Sequence, residues 1–147
     1  MIDLSARELL SLPEVLAGMC HAFIESDVGG QCPIEQGGFL LRDFQSHEIR
    51  VERLPSSAND SLSFPHCPNG QHAGQEIVGS FHTHPNTGTE WQQEPSSQDI
   101  RLSKVYPETM GPYQFVISRE TIYHIDNHGQ VTVVGSTSEL LNLNMGI

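Results

Sequence analysis

Two histidines, His82 and His84, stand one residue apart at the end of an apolar run, Glu76 to His84 (EIVGSFHTH), with Pro85 directly after them. On a strand, positions i and i+2 project to one face, so both imidazoles point together while Thr83 turns away. Two imidazoles supply half of a tetrahedral zinc site, which takes N, O or S donors at about 2.0–2.3 Å. Pro85 stops the strand and stiffens the exit, which holds the pair in place. A third donor is required. Asp99, in the first turn of the next expected helix, is the nearest suitable carboxylate in the chain. Two His, one Asp and an open position describe a catalytic metal site, because a structural site fills all four positions with protein donors.

A catalytic metal of this kind works with a general base on its water, and Glu35, just before Gly37-Gly38-Phe39-Leu40-Leu41, is the candidate. It would face the metal if its strand neighbours the histidine strand. Ser96, three residues before Asp99, offers a hydroxyl to a developing oxyanion. Each piece also has a plainer reading. A His-x-His pair can be structural or merely exposed, Ser-x-x-Asp before a helix is most often a cap, and a Glu before Gly-Gly carries little information alone.

The elements that must position these residues follow from periodicity and breakers. Leu4 to Ser26 reads as helix in two pieces, divided at Pro13 with Ser11 as the possible cap of the second. Gly37–Arg42 and Glu48–Leu54 read as strands, Pro55–Gly74 as a long polar loop, and Glu76–His84 as the strand that carries the histidines. Ser96–Tyr106 reads as a helix capped by Ser96 with Asp99 at the capping-box position. Tyr113–Ser118, Thr121–Ile125 and Gln130–Val134 read as strands, and Thr137–Leu143 as a short helix. The order implies an α/β domain with a mostly antiparallel sheet flanked by helices.

Composition excludes several functions. Seven Lys plus Arg against eighteen Asp plus Glu give a net charge of −11, which argues against nucleic acid or an anionic membrane as partner. No run approaches the roughly 18 apolar residues of a membrane span. The start, MIDLSARELL, lacks the basic and apolar regions of a signal peptide. Three cysteines, Cys20, Cys32 and Cys67, with no Cys-x-x-Cys pair, point to a reducing cytoplasm. Two other groups of residues compete for the chemistry. His66, Cys67 and His72 cluster in Ser63–His72, but their spacing matches no zinc module. A cysteine hydrolase built on one of the three thiols lacks a recognisable context. Nucleobase deamination needs His-x-Glu and Pro-Cys-x-x-Cys, and position 84 is His. His124 and His128, near a turn, are expected to be solvated.

Taken in order, Glu35, then Val78-Gly79-Ser80-Phe81-His82-Thr83-His84-Pro85, then Ser96-Ser97-Gln98-Asp99, resemble the JAMM motif of the MPN-domain metalloproteases, whose pattern is Glu, His-x-His-Pro, Ser-x-x-Asp. The resemblance runs from about Glu35 to Ile125 within a single domain spanning residues 1–147. It implies a cytidine-deaminase-like three-layer α/β/α fold holding one catalytic Zn2+ per chain. His82, His84 and Asp99 would be the ligands, Glu35 the acid/base and Ser96 the group that steadies the tetrahedral intermediate. Family members hydrolyse peptide or isopeptide bonds, often next to the C-terminus of ubiquitin or a ubiquitin-like protein, so a protein or peptide substrate is implied. A non-catalytic MPN-type partner-binding module is the alternative, and a toxin-like domain of the same fold a weaker one. Pro85 to Gln98 is longer than the family pattern, an extension that costs little closure entropy. It contains Trp91, which either anchors the loop or borders the substrate cleft.

Overall fold

Two helices open the chain, and three residues set where they divide. Ser5 caps α1 (Ala6–Ser11): its hydroxyl accepts the Glu8 N–H and the Glu8 carboxylate accepts the Ser5 N–H, a reciprocal capping box. Leu12 is extended, and Pro13 begins α2 (Pro13–Glu25) at the first helical position, where a missing N–H is harmless. Ser11 does not cap α2, contrary to expectation. Its hydroxyl donates back to the Glu8 carbonyl at 2.7 Å, and Leu12 fills the cap position without a side-chain bond. The structure is a computed structural model, which describes residues 4–56, 62–87 and 92–143.

The sheet contains β1 (Gly37–Arg42), β2 (Ile49–Arg53), β3 (Gln71–His72), β4 (Gln75–Thr83), β5 (Tyr113–Ile117), β6 (Thr121–Ile125) and β7 (Val131–Ser136), in the order β2-β1-β4-β5-β6-β7 with β3 against the start of β4. All pairings are antiparallel except β4 with β5. A parallel pair cannot be joined by a hairpin, and α3 (Ser97–Val105) and α4 (Pro107–Met110) form the required crossover. A last turn, α5 (Thr137–Leu140), follows β7 directly. The histidine strand is therefore central, with β1 on one side and β5 on the other.

A register shift between Leu40 and Leu41 sorts the side chains of β4. Leu40 pairs with Gly79 and Leu41 with Ile77, so Val78 is the extra residue and alternation resets there. Val78 and Phe81 join Leu40, Phe115, Ile117, Ile122 and the buried face of α1 and α2 in one core. On α2 that face is Val15, Met19, Ala22 and Phe23, at helical spacing. Gly18 lets α2 lie directly on β2, since a Cβ there would stand 2.5 Å from Val51. On the other face, Ile77 joins Phe39, Leu41, Leu54 and Cys67 in a second core, with Leu62 and Phe64 packed against it. Helix α3 lies on this second face, tied to it by Gln114 of β5, whose amide donates to the Asp99 carbonyl at 2.9 Å. The three layers are helices α1 and α2, the sheet, and α3 with the 62–67 segment.

The expected elements shift by one to three residues at their ends, and two short ones are new. Residues 71–72 of the expected loop form β3, joined to β4 by Ala73 and Gly74, both at positive φ. That is the backbone of a type I′ turn, but Ala at its first position gives no warning in the sequence. Helix α4 falls between Tyr106 and Tyr113, where the sequence suggested no element. Pro107 starts it and Gly111, at φ 76°, follows it. The last strand runs further than Gln130–Val134 and the last helix is shorter than Thr137–Leu143.

Candidate metal centre

His82 and His84 leave the sheet on the α3 face with ring centroids 5.2 Å apart. Thr83 points the opposite way and is fully buried. Its hydroxyl accepts the Gln36 N–H at 3.0 Å and is bonded to the Ser26 hydroxyl. Its own N–H donates to the Gln36 carbonyl at 2.9 Å, and the His84 N–H donates to the Ile117 carbonyl at 2.9 Å. Backbone on both sides thus carries the strand geometry past the formal end of β4 to His84.

Asp99 arrives from the helix. Its carboxylate accepts the Ser96 N–H at 2.8 Å while its N–H donates to the Ser96 hydroxyl at 3.1 Å, the capping box anticipated from Ser-x-x-Asp. The cap fixes the carboxylate rotamer, and that rotamer faces the histidines. Asp99 Oδ1 lies 3.2 Å from His82 Nε2 and Oδ2 lies 3.3 Å from His84 Nε2. One donor atom from each residue falls within 4.8 Å of the others. Both ring nitrogens of His82 are buried without a hydrogen bond among the described residues. The His82–Asp99 approach therefore has ion-pair distance without hydrogen-bond geometry, which suits a cation between the two better than a direct bond. His84 Nδ1 lies 3.0 Å from the Gln93 carbonyl. A carbonyl only accepts, so Nδ1 carries the proton and Nε2 presents its lone pair to the centre.

Electrostatics favour positive charge here. Burial by itself would raise the Asp99 carboxyl, but His82, His84 and the Ser96 N–H outweigh it and hold the group well below the usual carboxylate range. Burial would lower the His82 imidazole, yet the Asp99 and Glu35 carboxylates raise it. Glu35 behaves differently. Burial raises its carboxyl against the opposing pull of His82, His84 and the Leu62 N–H. That N–H donates to Glu35 Oε1 at 3.0 Å. Gly37 makes the arrangement possible, because a Cβ there would meet Leu62 at 2.4 Å and the Phe81 carbonyl at 2.3 Å. Since Gly37 pairs with His82, Glu35 enters the centre from the adjacent strand mouth. The donor set of two imidazoles and a carboxylate, with the orphaned His82 Nε2 among them, fits a zinc ion.

The structure brings His82, His84 and Asp99 together as one cluster, sets Glu35 in their electrostatic reach, and uses Ser96 as the cap of Asp99. Ser96 only accepts in that bond, so its hydroxyl hydrogen is left to donate. The extended segment closes on itself, with Gln93 donating to the Asn86 carbonyl at 2.6 Å and Gln92 to the Pro95 carbonyl at 2.8 Å. Trp91 lies outside the described residues. His66, Cys67 and His72 do not converge: His66 packs on Tyr106, His72 on Phe39, and Cys67 belongs to the second core. Burial pushes the Cys20 and Cys67 thiols up, away from a thiolate nucleophile. His128 is exposed, but His124 is not solvated as expected; it is half-buried against Tyr113 and Phe115, and burial lowers its imidazole. Sequence reasoning missed Thr83, Gln36, Gln93, Ser80 and Gln114. A signal existed for Ser80 and Gln114, each a polar residue inside an otherwise apolar strand.

An antiparallel-dominated sheet with a His-His-Asp cluster at the mouth of its central strand defines a domain of the JAB/MPN class. The family model for prokaryotic homologs of the JAB domain matches residues 21–128, and the chain belongs to that family. No curated protein matches the chain. The matched stretch contains Glu35, His82, His84, Ser96 and Asp99. Among the described residues, no helix is long and apolar enough to cross a membrane.

Proposed function

We propose that this protein is a zinc-dependent peptidase or isopeptidase in which His82, His84 and Asp99 hold one Zn2+, Glu35 moves the proton and Ser96 steadies the developing oxyanion. The observation that carries the reading is the convergence of His82 Nε2, His84 Nε2 and both Asp99 oxygens beside a half-buried carboxylate whose affinity for protons is raised. When bound, zinc supplies Lewis acidity, polarising a carbonyl and bringing the pKa of water to about 7. Glu35 Oε1 is held by Leu62, leaving Oε2 to accept a proton from the attacking water and return it to the departing amine. Ser96 donates its free O–H toward the carbonyl oxygen as charge develops there. Substrate enters as an extended polypeptide, with the C-terminal segment of a ubiquitin-like protein as the preferred class. The three unpaired thiols agree with a cytoplasmic setting.

The test is metal content by mass spectrometry for the untagged protein, His82→Ala and Asp99→Ala, followed by hydrolysis of ubiquitin-like fusions by wild type and Glu35→Gln. One zinc in wild type, lost in the first two variants, with metal retained but hydrolysis abolished in Glu35→Gln, supports the reading. Zinc that survives His82→Ala places the metal elsewhere. Zinc in wild type with no hydrolysis of any fusion favours the partner-binding module.

A further inference from the structure

Besides His82 Nε2, three buried polar atoms on the α3 face of the sheet have no hydrogen-bond partner among the described residues: His82 Nδ1, Ser80 Oγ and Gln114 Oε1. They are neighbours by register. Ser80 and His82 are two residues apart on β4 beyond the register shift, so they share a face. Ser80 pairs with Gln114 on β5, a strand about 4.8 Å away. Ser80 and Gln114 are fully buried and His82 is nearly so. Orphaned buried polar atoms are rare and each costs about 1–3 kcal/mol. Three on one patch call for a common explanation.

Their donor and acceptor capacities supply it. The Gln114 amide is oriented unambiguously, because its nitrogen donates to the Asp99 carbonyl at 2.9 Å and also to the Ser103 hydroxyl. Its oxygen can therefore only accept. A hydroxyl both accepts and donates, and an imidazole nitrogen that carries hydrogen only donates. None of the three atoms is in hydrogen-bond geometry with another, so a relay closes through bridging water or a turn of the Ser80 hydroxyl, and a single ordering satisfies all three groups: His82 Nδ1–H towards Ser80 Oγ, then Ser80 O–H towards Gln114 Oε1. In the reverse sense Ser80 would donate to an unprotonated Nδ1, and Gln114 Oε1 would be left without a donor. A bridging water between His82 and Ser80 preserves the direction of the relay.

We propose that Ser80 and Gln114 are positioning residues that form a hydrogen-bond relay to His82 Nδ1, fixing the ring in the tautomer whose Nε2 faces Asp99. Gln114 is then the cross-brace of the centre. Its nitrogen holds the backbone of the ligand on α3, and its oxygen terminates the relay from the ligand on β4. His84 gets the same service from the Gln93 carbonyl, so each imidazole has its own acceptor. The inference rests on the metal reading and refines it, because outer partners of this kind change metal affinity by about 10–100-fold.

The test compares wild type with Ser80→Ala and, as a second probe, Gln114→Met. Zinc affinity is measured by chelator competition, and the His82 ring nitrogens are followed by 15N NMR in the zinc-loaded protein and in the metal-free protein at alkaline pH. The expected result is roughly 10–100-fold weaker zinc binding in Ser80→Ala, with thermal stability in chelator lowered, because the His82 Nδ1–H and the Gln114 oxygen lose their partner. The wild-type ring should hold its proton on Nδ1, and the variant should mix tautomers. If Ser80 were merely small filler, its removal would leave affinity and tautomer untouched. Wild-type zinc binding with equal affinity and tautomer in Ser80→Ala overturns the relay and leaves the metal reading standing. Absence of zinc binding in wild type overturns the metal reading; the metal-free tautomers then decide the relay, which fails unless Nδ1–H is present in wild type and lost in the variant.

Discussion

Replacing Thr83 by Val should destabilise the protein by about 2–4 kcal/mol, although the shape of the side chain hardly changes. Thr83 is fully buried on the side of β4 away from the histidines. Its hydroxyl accepts the Gln36 N–H at 3.0 Å and is bonded to Ser26. The Ser26 hydroxyl also donates to the Ala22 carbonyl at 2.9 Å, and the Thr83 hydroxyl also reaches the Gln36 carbonyl at 3.4 Å. Val removes every bond of the Thr83 hydroxyl. Losing the hydroxyl pair costs about 0.5–1.5 kcal/mol, and leaving the Gln36 N–H without its acceptor adds about 1–3 kcal/mol. Thr83→Ser keeps the oxygen and forfeits one buried methyl, about 1 kcal/mol. Denaturant unfolding in the presence of chelator measures the difference without the metal's contribution, and in a thermal scan the Val variant should melt roughly 4–16 °C lower. The bonds concerned also tether the segment that carries Glu35, so in zinc-loaded protein the Val variant should lose more activity than the Ser variant. A Val variant no less stable than the Ser variant would mean that the hydroxyl is not the strut between α2, β4 and the Glu35 segment.

Other outcomes follow from the same geometry. Glu35→Gln should bind zinc as wild type does and lose hydrolysis by about 10²–10⁴-fold, the usual contribution of a positioned acid/base; metal analysis beside a fusion-cleavage assay checks it. Among the thiols, only Cys32 is exposed, so one cysteine in three should react promptly with a thiol reagent in the folded protein and all three after denaturation. His124 is lowered by burial against aromatic rings, an effect larger than the opposing pull of the Pro112 carbonyl and Asp126. The unfolded chain therefore binds a proton first as pH drops below about 6.5, and stability should fall there. His124→Phe should flatten that part of a stability-against-pH curve. Gly37→Ala should push Leu62 away from Glu35, since the new Cβ would meet it at 2.4 Å; activity should fall further than zinc affinity.

Much of this protein is legible along the chain because its chemistry is local. His-x-His on a strand aligns two imidazoles by pleat alone, and Ser-x-x-Asp at a helix start dictates a capping box that sets the Asp99 rotamer. Strand β1 announces itself as an apolar run and α3 by its cap. The first helix break was legible too, at Pro13, but its cap was not, because the Ser11 hydroxyl turns back to the Glu8 carbonyl and Leu12 takes the cap position without a side-chain bond. His124 looked solvated in sequence, since a turn is near; only the pairing of β5 with β6 sets it against Tyr113 and Phe115.

What the amino-acid order determined by itself was the class of chemistry: which side chains could ligate a metal, and which local elements would present them. The tertiary structure decided the rest. Pairing Gly37 with His82 puts Glu35 at the centre, and the parallel pairing of β4 with β5 sets Gln114 beside Ser80. It also folds the extended loop so that the Gln93 carbonyl reaches His84. The physical reason is separation along the chain. Capping and pleat act over two or three residues, whereas these contacts join strands and loops that meet only after the sheet has chosen its order and register, a choice made by burying two apolar faces at once.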